Sequence, residues 1–229
     1  MRAISTLSAR IFVIISLTWI TANAQTGGNN TYDFLSLSNS ARIAALGGNF
    51  AAIRDHDISL AIPNPSLISP EMHNKLAFSY VNNYSDINYG YAAYSRTFQR
   101  FGSFTGSLQF LDYGEFKYAD QTGEIAGNFK VGDYALNVGW GRMLDSVFSL
   151  GANFKVIYSD LEAYNSAGLA VDVAGSYFPD KYTCMSLLIQ NAGSQLTSYS
   201  SLGVQPLPFE IQFGVSRRPL VANEEPCRM

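Results

Sequence analysis

Few residues of this chain could perform chemistry, and the strongest candidate is His56, which stands between Asp55 and Asp57. Carboxylates beside an imidazole can orient it as a general base. Neighbouring side chains of an extended segment point to opposite sides, however, so three in a row rarely converge on one point. We therefore interpret residues 55–57 as a solvated loop rather than a catalytic or metal-binding site.

The remaining signals for chemistry are weak. We expect His73, just before the first strand, to lie at the periplasmic rim, and His and Cys do not occur at the spacing of metal ligands. Gly27-Gly28 and Gly47-Gly48 lack the Lys-Ser/Thr that follows in a phosphate-binding loop. Cys184 and Cys227 are too few for a disulfide framework. The sequence predicts a protein that is not an enzyme and holds no cofactor or metal.

Composition narrows the class of protein further. Only 14% of the 229 residues are charged, whereas a typical soluble domain has about 25%. The net charge is −3 and no basic patch is interleaved with aromatics, which argues against a nucleic-acid partner. The 14 Tyr and 15 Phe suit a boundary between apolar and wet surroundings, because a Tyr ring is apolar and its tip is polar.

The first 24 residues resemble a secretory signal peptide. Arg2 and Arg10 give a basic start, residues 11–20 are mostly apolar, and Ala22-Asn-Ala24 is a small-x-small cleavage site. The apolar run is shorter than the roughly 20 residues of a spanning helix, and the alternative interpretation is a buried core helix. Gln25 rather than Cys follows the site, so we expect an exported protein without a lipid anchor that begins near Gln25.

Long strands with two different faces dominate the rest of the chain. In Phe148–Tyr158 the apolar residues Phe148, Leu150, Phe154 and Val156 alternate with small or polar ones. Period-two alternation predicts β-strands. About eight segments show it, and within 87–98 the phase slips near Ala93, which we interpret as a β-bulge. The other segments are 76–82, 87–98, 104–110, 133–144, 167–177, 182–191 and 209–216.

Three observations favour a membrane barrel over the alternative, a soluble β-sandwich. The polar face consists mainly of Gly, Ser, Asn and Ala, not the Lys, Glu and Arg of a soluble surface. The strand Phe148–Tyr158 rises roughly 3.3 Å per residue over about ten residues, and at a tilt of about 40° it spans roughly 25 Å, which matches the height of the apolar band of an outer-membrane barrel. Tight turns at 99–101, 145–146 and 179–181 alternate with links at 83–86, 114–132, 160–165 and 192–206, most of them longer.

We therefore predict an all-β fold, an antiparallel transmembrane barrel in outer-membrane lipid. Residues 76–218 would form the strands. Residues 25–75 do not alternate, and Ser40 is a suitable N-cap for a helix over Ala41–Leu46 that Gly47-Gly48 would end. A second apolar piece follows at Ile58–Ala61. This N-terminal segment is either a hatch folded into the lumen or a loose periplasmic lead-in.

The outer links are the predicted contact surface for a partner protein. The link at 114–128 mixes aromatic and charged side chains, as interface centres and rims do. The alternative is an ordinary solvated loop. The residues that we expect to make contact are Glu115, Phe116, Lys117, Tyr118 and Asp120, with Tyr199 from the 192–206 link.

Several segments resemble the PorV/PorQ family of outer-membrane proteins of the type IX secretion system. The shared pattern is Asn39-Ser-Ala-Arg42, Ala45-Leu-Gly-Gly48 and Asn64-Pro-Ser66. Gly27-Gly-Asn-Asn-Thr-Tyr-Asp-Phe-Leu35 and Pro206-Leu-Pro-Phe-Glu210 resemble its PorQ-like branch. The resemblance implies a barrel similar to that of the FadL transporters, with an N-terminal hatch. It also implies a role in holding a PorZ-like surface protein near PorU and PorV. The runner-up function is FadL-like transport of hydrophobic small molecules.

The end of the chain differs from the pattern of this family. After Val215 the alternation gives way to a charged, proline-containing tail, which we treat as aberrant over 219–229. Barrels of the family continue through further strands. We therefore expect a C-terminally shortened, incomplete barrel of about eight strands, since a closed barrel of eight strands would leave no room for a hatch.

Overall fold

A computed structural model describes residues 30–38, 40–45, 47–48, 51–53, 55–83, 86–119, 124–162, 164–199 and 203–218. The predicted signal peptide, Asp120, Cys227 and the 219–229 tail lie outside these residues. The described chain begins with short helices: 3₁₀ helices at Asp33–Ser36, Ile58–Ala61, Pro65–Leu67 and Pro70–Met72, and the α-helix α1 at Ala41–Ala45. Among the described residues, no helix is long and apolar enough to cross a membrane.

Eight strands follow and form one antiparallel sheet in chain order. They are β1 (Lys75–Asn82), β2 (Asn88–Phe98), β3 (Gly102–Ala119), β4 (Ile125–Met143), β5 (Phe148–Leu161), β6 (Tyr164–Tyr177), β7 (Thr183–Thr197) and β8 (Glu210–Arg217). Each strand pairs with the next, and the sheet is not closed by a pairing of β1 with β8 within the described part of the chain. The predicted all-β fold and the strand count are confirmed.

The two faces of the sheet have the polarity that the alternation predicted. On β5 the buried set is Ser149, Gly151, Asn153, Lys155, Ile157 and Ser159, while the residues between them are exposed or half-exposed. Phe154, Val156 and Tyr158 each keep more than two fifths of their surface exposed. Since the described strands form a single sheet and no other described element covers its apolar face, the alternative of a sandwich with an apolar interior is wrong.

The N-terminal segment packs against the small, polar face of the sheet. The 3₁₀ helix Pro65–Leu67 contacts β4, β5 and β6. A Cβ added at Gly151 would lie 2.2 Å from the carbonyl carbon and oxygen of Pro65, so only glycine allows this approach. The predicted helix begins at Ala41 as expected, and Gly47 and Gly48 follow it with φ of 107° and 84°.

Hydrogen bonds fix this segment to the inner face. Asn153 Nδ2 donates to the carbonyl oxygen of Ile62 at 3.0 Å, and Gln190 Nε2 donates to that of Pro63 at 2.7 Å. Beside them Lys155 Nζ lies 2.8 Å from Asp172 Oδ2, and the two side chains are 3% and 0% exposed. The described part of the segment is therefore docked on the strands, not loose.

Two sequence predictions about the strands are wrong. The 114–132 link is mostly strand, since β3 runs to Ala119 and β4 begins at Ile125, with register shifts between Asp112 and Glu115 and between Tyr118 and Ala119. The 160–165 and 192–206 links are likewise shorter than predicted, because β5, β6 and β7 extend into them. The contrast between short turns and long links is correspondingly weaker than the sequence suggested.

The predicted bulge near Ala93 is also wrong. β2 pairs with β3 without interruption from Asn88 to Phe98. Tyr91 and Ala93 point inward because they pack against Ile58 and Ile62 of the N-terminal segment. The apparent slip in the alternation reflects an apolar patch of the inner face.

Candidate binding site at the distal end

We call the end of the sheet at which β1 is followed by β2, β3 by β4, β5 by β6 and β7 by β8 the distal end, and the opposite end, at residues 99–101, 144–147 and 178–182, the proximal end. Each end includes the described residues of the strands and of the N-terminal segment that lie at its level. The distal end carries those predicted contact residues that the structure describes. The β3–β4 hairpin projects furthest there, because β3 continues from Phe110, at the level of Tyr134 and Tyr158, up to Ala119. Cross-strand pairs stiffen it: the Phe116 and Phe129 rings stack at 5.4 Å, and Lys130 Nζ lies 3.5 Å from Glu115 Oε1.

A cavity of about 520 Å³ lies at the base of this hairpin. The N-terminal segment, β3, β4, β5 and the β7–β8 link all contribute to its lining. Five of the lining side chains are aromatic: Tyr32, Tyr113, Phe116, Phe129 and Tyr199. The N-terminal segment is held there by hydrogen bonds. Thr31 N donates to the carbonyl oxygen of Pro206 at 2.9 Å, and the Tyr32 and Ser166 hydroxyls are 2.5 Å apart.

Asp133 is the buried acidic group of the cavity, with 6% of its surface exposed. The Tyr113 hydroxyl donates to its Oδ2 at 2.9 Å, and the Ser159 hydroxyl donates to its Oδ1. Among the described residues, no cationic nitrogen lies within ion-pair distance of this carboxylate. Asp33, which is exposed, is the second acidic residue of the lining.

Burial shifts the pKa of Tyr32 and Tyr199, the two tyrosines of the cavity that lie outside the strands. Burial raises the pKa of Tyr199, and hydrogen bonds with Ser159 and Thr31 only partly offset it. Burial likewise raises the pKa of Tyr32, against the opposing effect of its hydrogen bonds with Ser166 and Gln195. Both hydroxyls therefore stay protonated, and so uncharged, at neutral pH.

The structure brings together two of the predicted contact residues. Phe116 and Tyr199 line the cavity from different links. Glu115, Lys117 and Tyr118 are exposed on the hairpin but do not line it. Asp120 lies outside the described residues, so its prediction is untested.

The two acidic neighbours of His56 have another partner. Arg42 Nη1 lies 3.2 Å from Asp57 Oδ2, and Arg42 Nη2 also pairs with Asp55. Burial alone would raise the pKa of Asp55, but the hydrogen bonds from Arg42 and from the His56 backbone N–H outweigh it and lower the pKa. Among the described residues, no group of three or more His, Cys, Asp or Glu side chains could hold a metal ion.

Sequence reasoning missed most of the cavity. Tyr32, Tyr113, Phe129 and Asp133 were not among the predicted contact residues, because they come from segments assigned to the hatch, to strands or to the middle of a link. One signal was available. Asp133 is an acidic residue at an inward position of β4, and the inward positions that follow it along the strand are Ala, Asn and Gly. A carboxylate placed there is costly unless it has a structural or binding role.

Comparison with known proteins adds no identification. A scan of the chain against models of protein families finds no match, and neither does a search of curated proteins.

Proposed function

We propose that this chain is an outer-membrane protein of the PorV/PorQ type that docks a surface protein of type IX secretion at its distal end. The main observation that supports this proposal is the exposed apolar face of the sheet. On β4 the outward residues Leu136 and Val138 are 53% and 51% exposed, and on β8 Phe213 is 71% exposed. An uncovered apolar face of this extent is unusual for a soluble monomer and suits lipid.

Aromatic rows border this face at two levels. Tyr80, Phe110, Tyr134 and Tyr158 follow one another in register across the sheet on the distal side, with β2 contributing Gly90 between the first two. On the proximal side Phe148 pairs with Tyr177, and their rings are 4.8 Å apart. On β5 the two rows are ten residues apart, or roughly 25 Å of height for a strand tilted by about 40°. Membrane barrels carry aromatic girdles at this separation.

The docking role is supported by the hairpin beyond the distal row. Its strands are paired almost to the tip, so Phe116 and Tyr118 are presented on a stiff support. Presenting exposed aromatics on a rigid element lowers the entropy cost of association. By resemblance, the partner is a PorZ-like attachment protein, with PorU and PorV nearby.

The second candidate is transport of a hydrophobic small molecule, as in FadL-like proteins. The observation in its favour is the cavity, whose lining includes Phe116, Phe129, Val131 and Leu161. Against it, the inner face of the strands is mainly Gly, Ser, Asn, Asp and Gln, and the N-terminal segment covers much of that face. We therefore favour docking.

Co-purification from outer membranes tests docking directly. The full chain should retain a surface protein, and deletion of residues 115–128 should release it. Tyr118→Ala should weaken retention, whereas Tyr182→Ala should not, because Tyr182 is similarly exposed but lies at the proximal end. Uptake of a labelled fatty acid without any retained protein would instead support transport. If Tyr182→Ala releases the partner as readily as Tyr118→Ala does, the hairpin is not the docking element.

A further inference from the structure

The cavity at the distal end combines aromatic faces with a buried acid. Phe116 and Phe129 stack with an interplanar angle of 19°, and the Tyr32 and Tyr199 rings are 6.5 Å apart across the lining. Aromatic faces carry a negative quadrupole and attract organic cations, most strongly where water is excluded. The walls therefore favour a positively charged, flat or compact group.

Asp133 adds a charge that no described basic side chain neutralises. It accepts hydrogen bonds from two neutral hydroxyls, those of Tyr113 and Ser159, but has no cationic partner among the described residues. A buried carboxylate without a counter-ion costs free energy. A cation that enters the cavity would recover part of this cost, whereas an alkyl chain would only deepen the desolvation.

The charge around the cavity has the matching sign. Within the described chain the distal end holds eight acidic side chains and two basic ones: Asp33, Asp86, Asp112, Glu115, Glu124, Asp133, Asp160 and Glu162 against Lys117 and Lys130. The described proximal end has the reverse balance: Arg42, Lys75, Arg96, Arg100, Arg142, Lys181, Arg217 and Arg218 against Asp55, Asp57, Glu71, Asp145 and Asp180. An acidic rim steers a basic partner toward this end and repels an acidic one.

We propose that the cavity receives a basic side chain, in particular an arginine guanidinium, of the protein that docks at the distal end. This inference rests on the proposed docking function and adds the chemistry of the contact. A guanidinium suits the site because it is planar, stacks on rings such as Phe116, and donates hydrogen bonds to a carboxylate such as Asp133. Lysine would bind less well, since its ammonium is more strongly hydrated.

The test uses the full chain in detergent micelles and short peptides as probes. Acetylated and amidated Gly-Gly-Xaa-Gly-Gly peptides, with arginine, lysine, citrulline or leucine at Xaa, would be titrated by calorimetry. Citrulline has nearly the shape of arginine but no charge. We expect the arginine peptide to bind about tenfold more tightly than the citrulline peptide, because it alone forms a charge-assisted contact with Asp133.

Matched variants locate the effect in the cavity. Asp133→Asn should lower affinity for the arginine peptide about tenfold, and Phe116→Leu about two- to fivefold. Asp160→Asn makes the same change of charge at an exposed distal position outside the lining. It should change affinity less than about twofold at physiological salt, where exposed charges are screened. If Asp133→Asn does not fold, Asp33→Asn serves instead, because Asp33 lines the cavity and is exposed.

Three outcomes would overturn the cation site: equal binding of arginine and citrulline peptides, tighter binding of the leucine peptide, or equal effects of Asp160→Asn and the cavity variants. Each stands apart from the docking function. If the surface protein still co-purifies while the peptides show no preference, only the cation site is lost. If the arginine peptide binds selectively and no protein co-purifies, docking is wrong and the cavity recognises a cation from another source.

Discussion

Val138 offers the most direct test of where the apolar face lies. Its side chain points outward from β4 and is 51% exposed, and it pairs with Phe154 of β5. Phe154 lies four residues from Tyr158 of the distal aromatic row and six from Phe148 of the proximal row. At about 2.5 Å of height per tilted residue, Val138 lies about 10 Å from one boundary and about 15 Å from the other. It is therefore close to the middle of the proposed lipid band.

Replacing Val138 with lysine separates a membrane environment from an aqueous one. A lysine at the lipid midplane of a barrel costs about 2–4 kcal/mol. The same substitution at a half-exposed site in water changes the free energy of unfolding by about 0.5 kcal/mol or less. The two environments thus differ by at least about 1.5 kcal/mol, more than a tenfold change in the folding equilibrium.

The assay is equilibrium unfolding in urea of the mature chain folded into phospholipid vesicles. Trp140 on β4 serves as the fluorescent reporter, since Trp19 lies in the predicted signal peptide. Leu196→Lys is the matched control, because Leu196 is exposed on the outward face of β7 and adjoins Thr197, which is level with Tyr158 through Ala167. Near the interface a lysine should cost only about 0–1 kcal/mol.

A particular result would refute the membrane interpretation. If Val138→Lys and Leu196→Lys both cost less than about 0.5 kcal/mol, the outward face does not lie in hydrocarbon. Solubility of the mature chain as a compact monomer without detergent would lead to the same conclusion. The proposed docking role would then lose its anchor.

Three further perturbations test the packing of the inner face and one turn. Gly151→Ala should lower stability by about 2 kcal/mol or more and expose the N-terminal segment to protease, because its Cβ would meet the Pro65 backbone. Gly106→Ala is the control, with nothing within 4 Å of its added Cβ, and should be tolerated. Asp172→Ala should lower the free energy of unfolding by about 3–5 kcal/mol, because Lys155 then stays buried without its carboxylate partner. In a double-mutant cycle, Asp172→Ala should cost much less when Lys155 is already replaced by Met. Hydrogen bonds from the backbone of Tyr182 and from Thr183 lower the pKa of Asp180. The ionised Asp180 should therefore stabilise the fold fully above the ordinary Asp pKa, and this contribution should be lost as the pH falls through the lowered value. Urea midpoints measured across this pH range should show the loss, and Asp180→Asn should remove this pH dependence.

The strands could be predicted from sequence because their signal is local. The side-chain period of two follows from backbone geometry alone. The alternation in Phe148–Tyr158 therefore predicted both the strand and its two faces, and the strand in the structure is only three residues longer, ending at Leu161. The small inward residues also carried information, since the N-terminal segment approaches the sheet closely at Gly139, Gly141 and Gly151.

The β3–β4 hairpin could not be predicted in the same way. Gly114, with φ of 83°, and the polar residues around it suggested a loop. The strand continues because Glu115 faces Lys130 and Phe116 faces Phe129 across the pair, with bulges absorbing the irregularity. Such pairing depends on a partner more than ten residues away, and no local pattern reports it.

The cavity shows why the candidate site was harder to predict than the fold. Its wall needs Tyr32 from the N-terminal segment, Phe116 from the hairpin and Tyr199 from the β7–β8 link, which come together only when that segment docks on the sheet. The same docking covers the polar inner face with the Pro65–Leu67 helix and leaves the distal end as the place where buried acid, aromatic rings and projecting strands meet. A substitution that undocks the segment, such as Gly151→Ala, should therefore also abolish selective binding of the arginine peptide, although Gly151 lines no part of the cavity. Unchanged peptide selectivity in a variant whose N-terminal segment has become protease-sensitive would show that Tyr32 is not needed and that the hairpin alone forms the site.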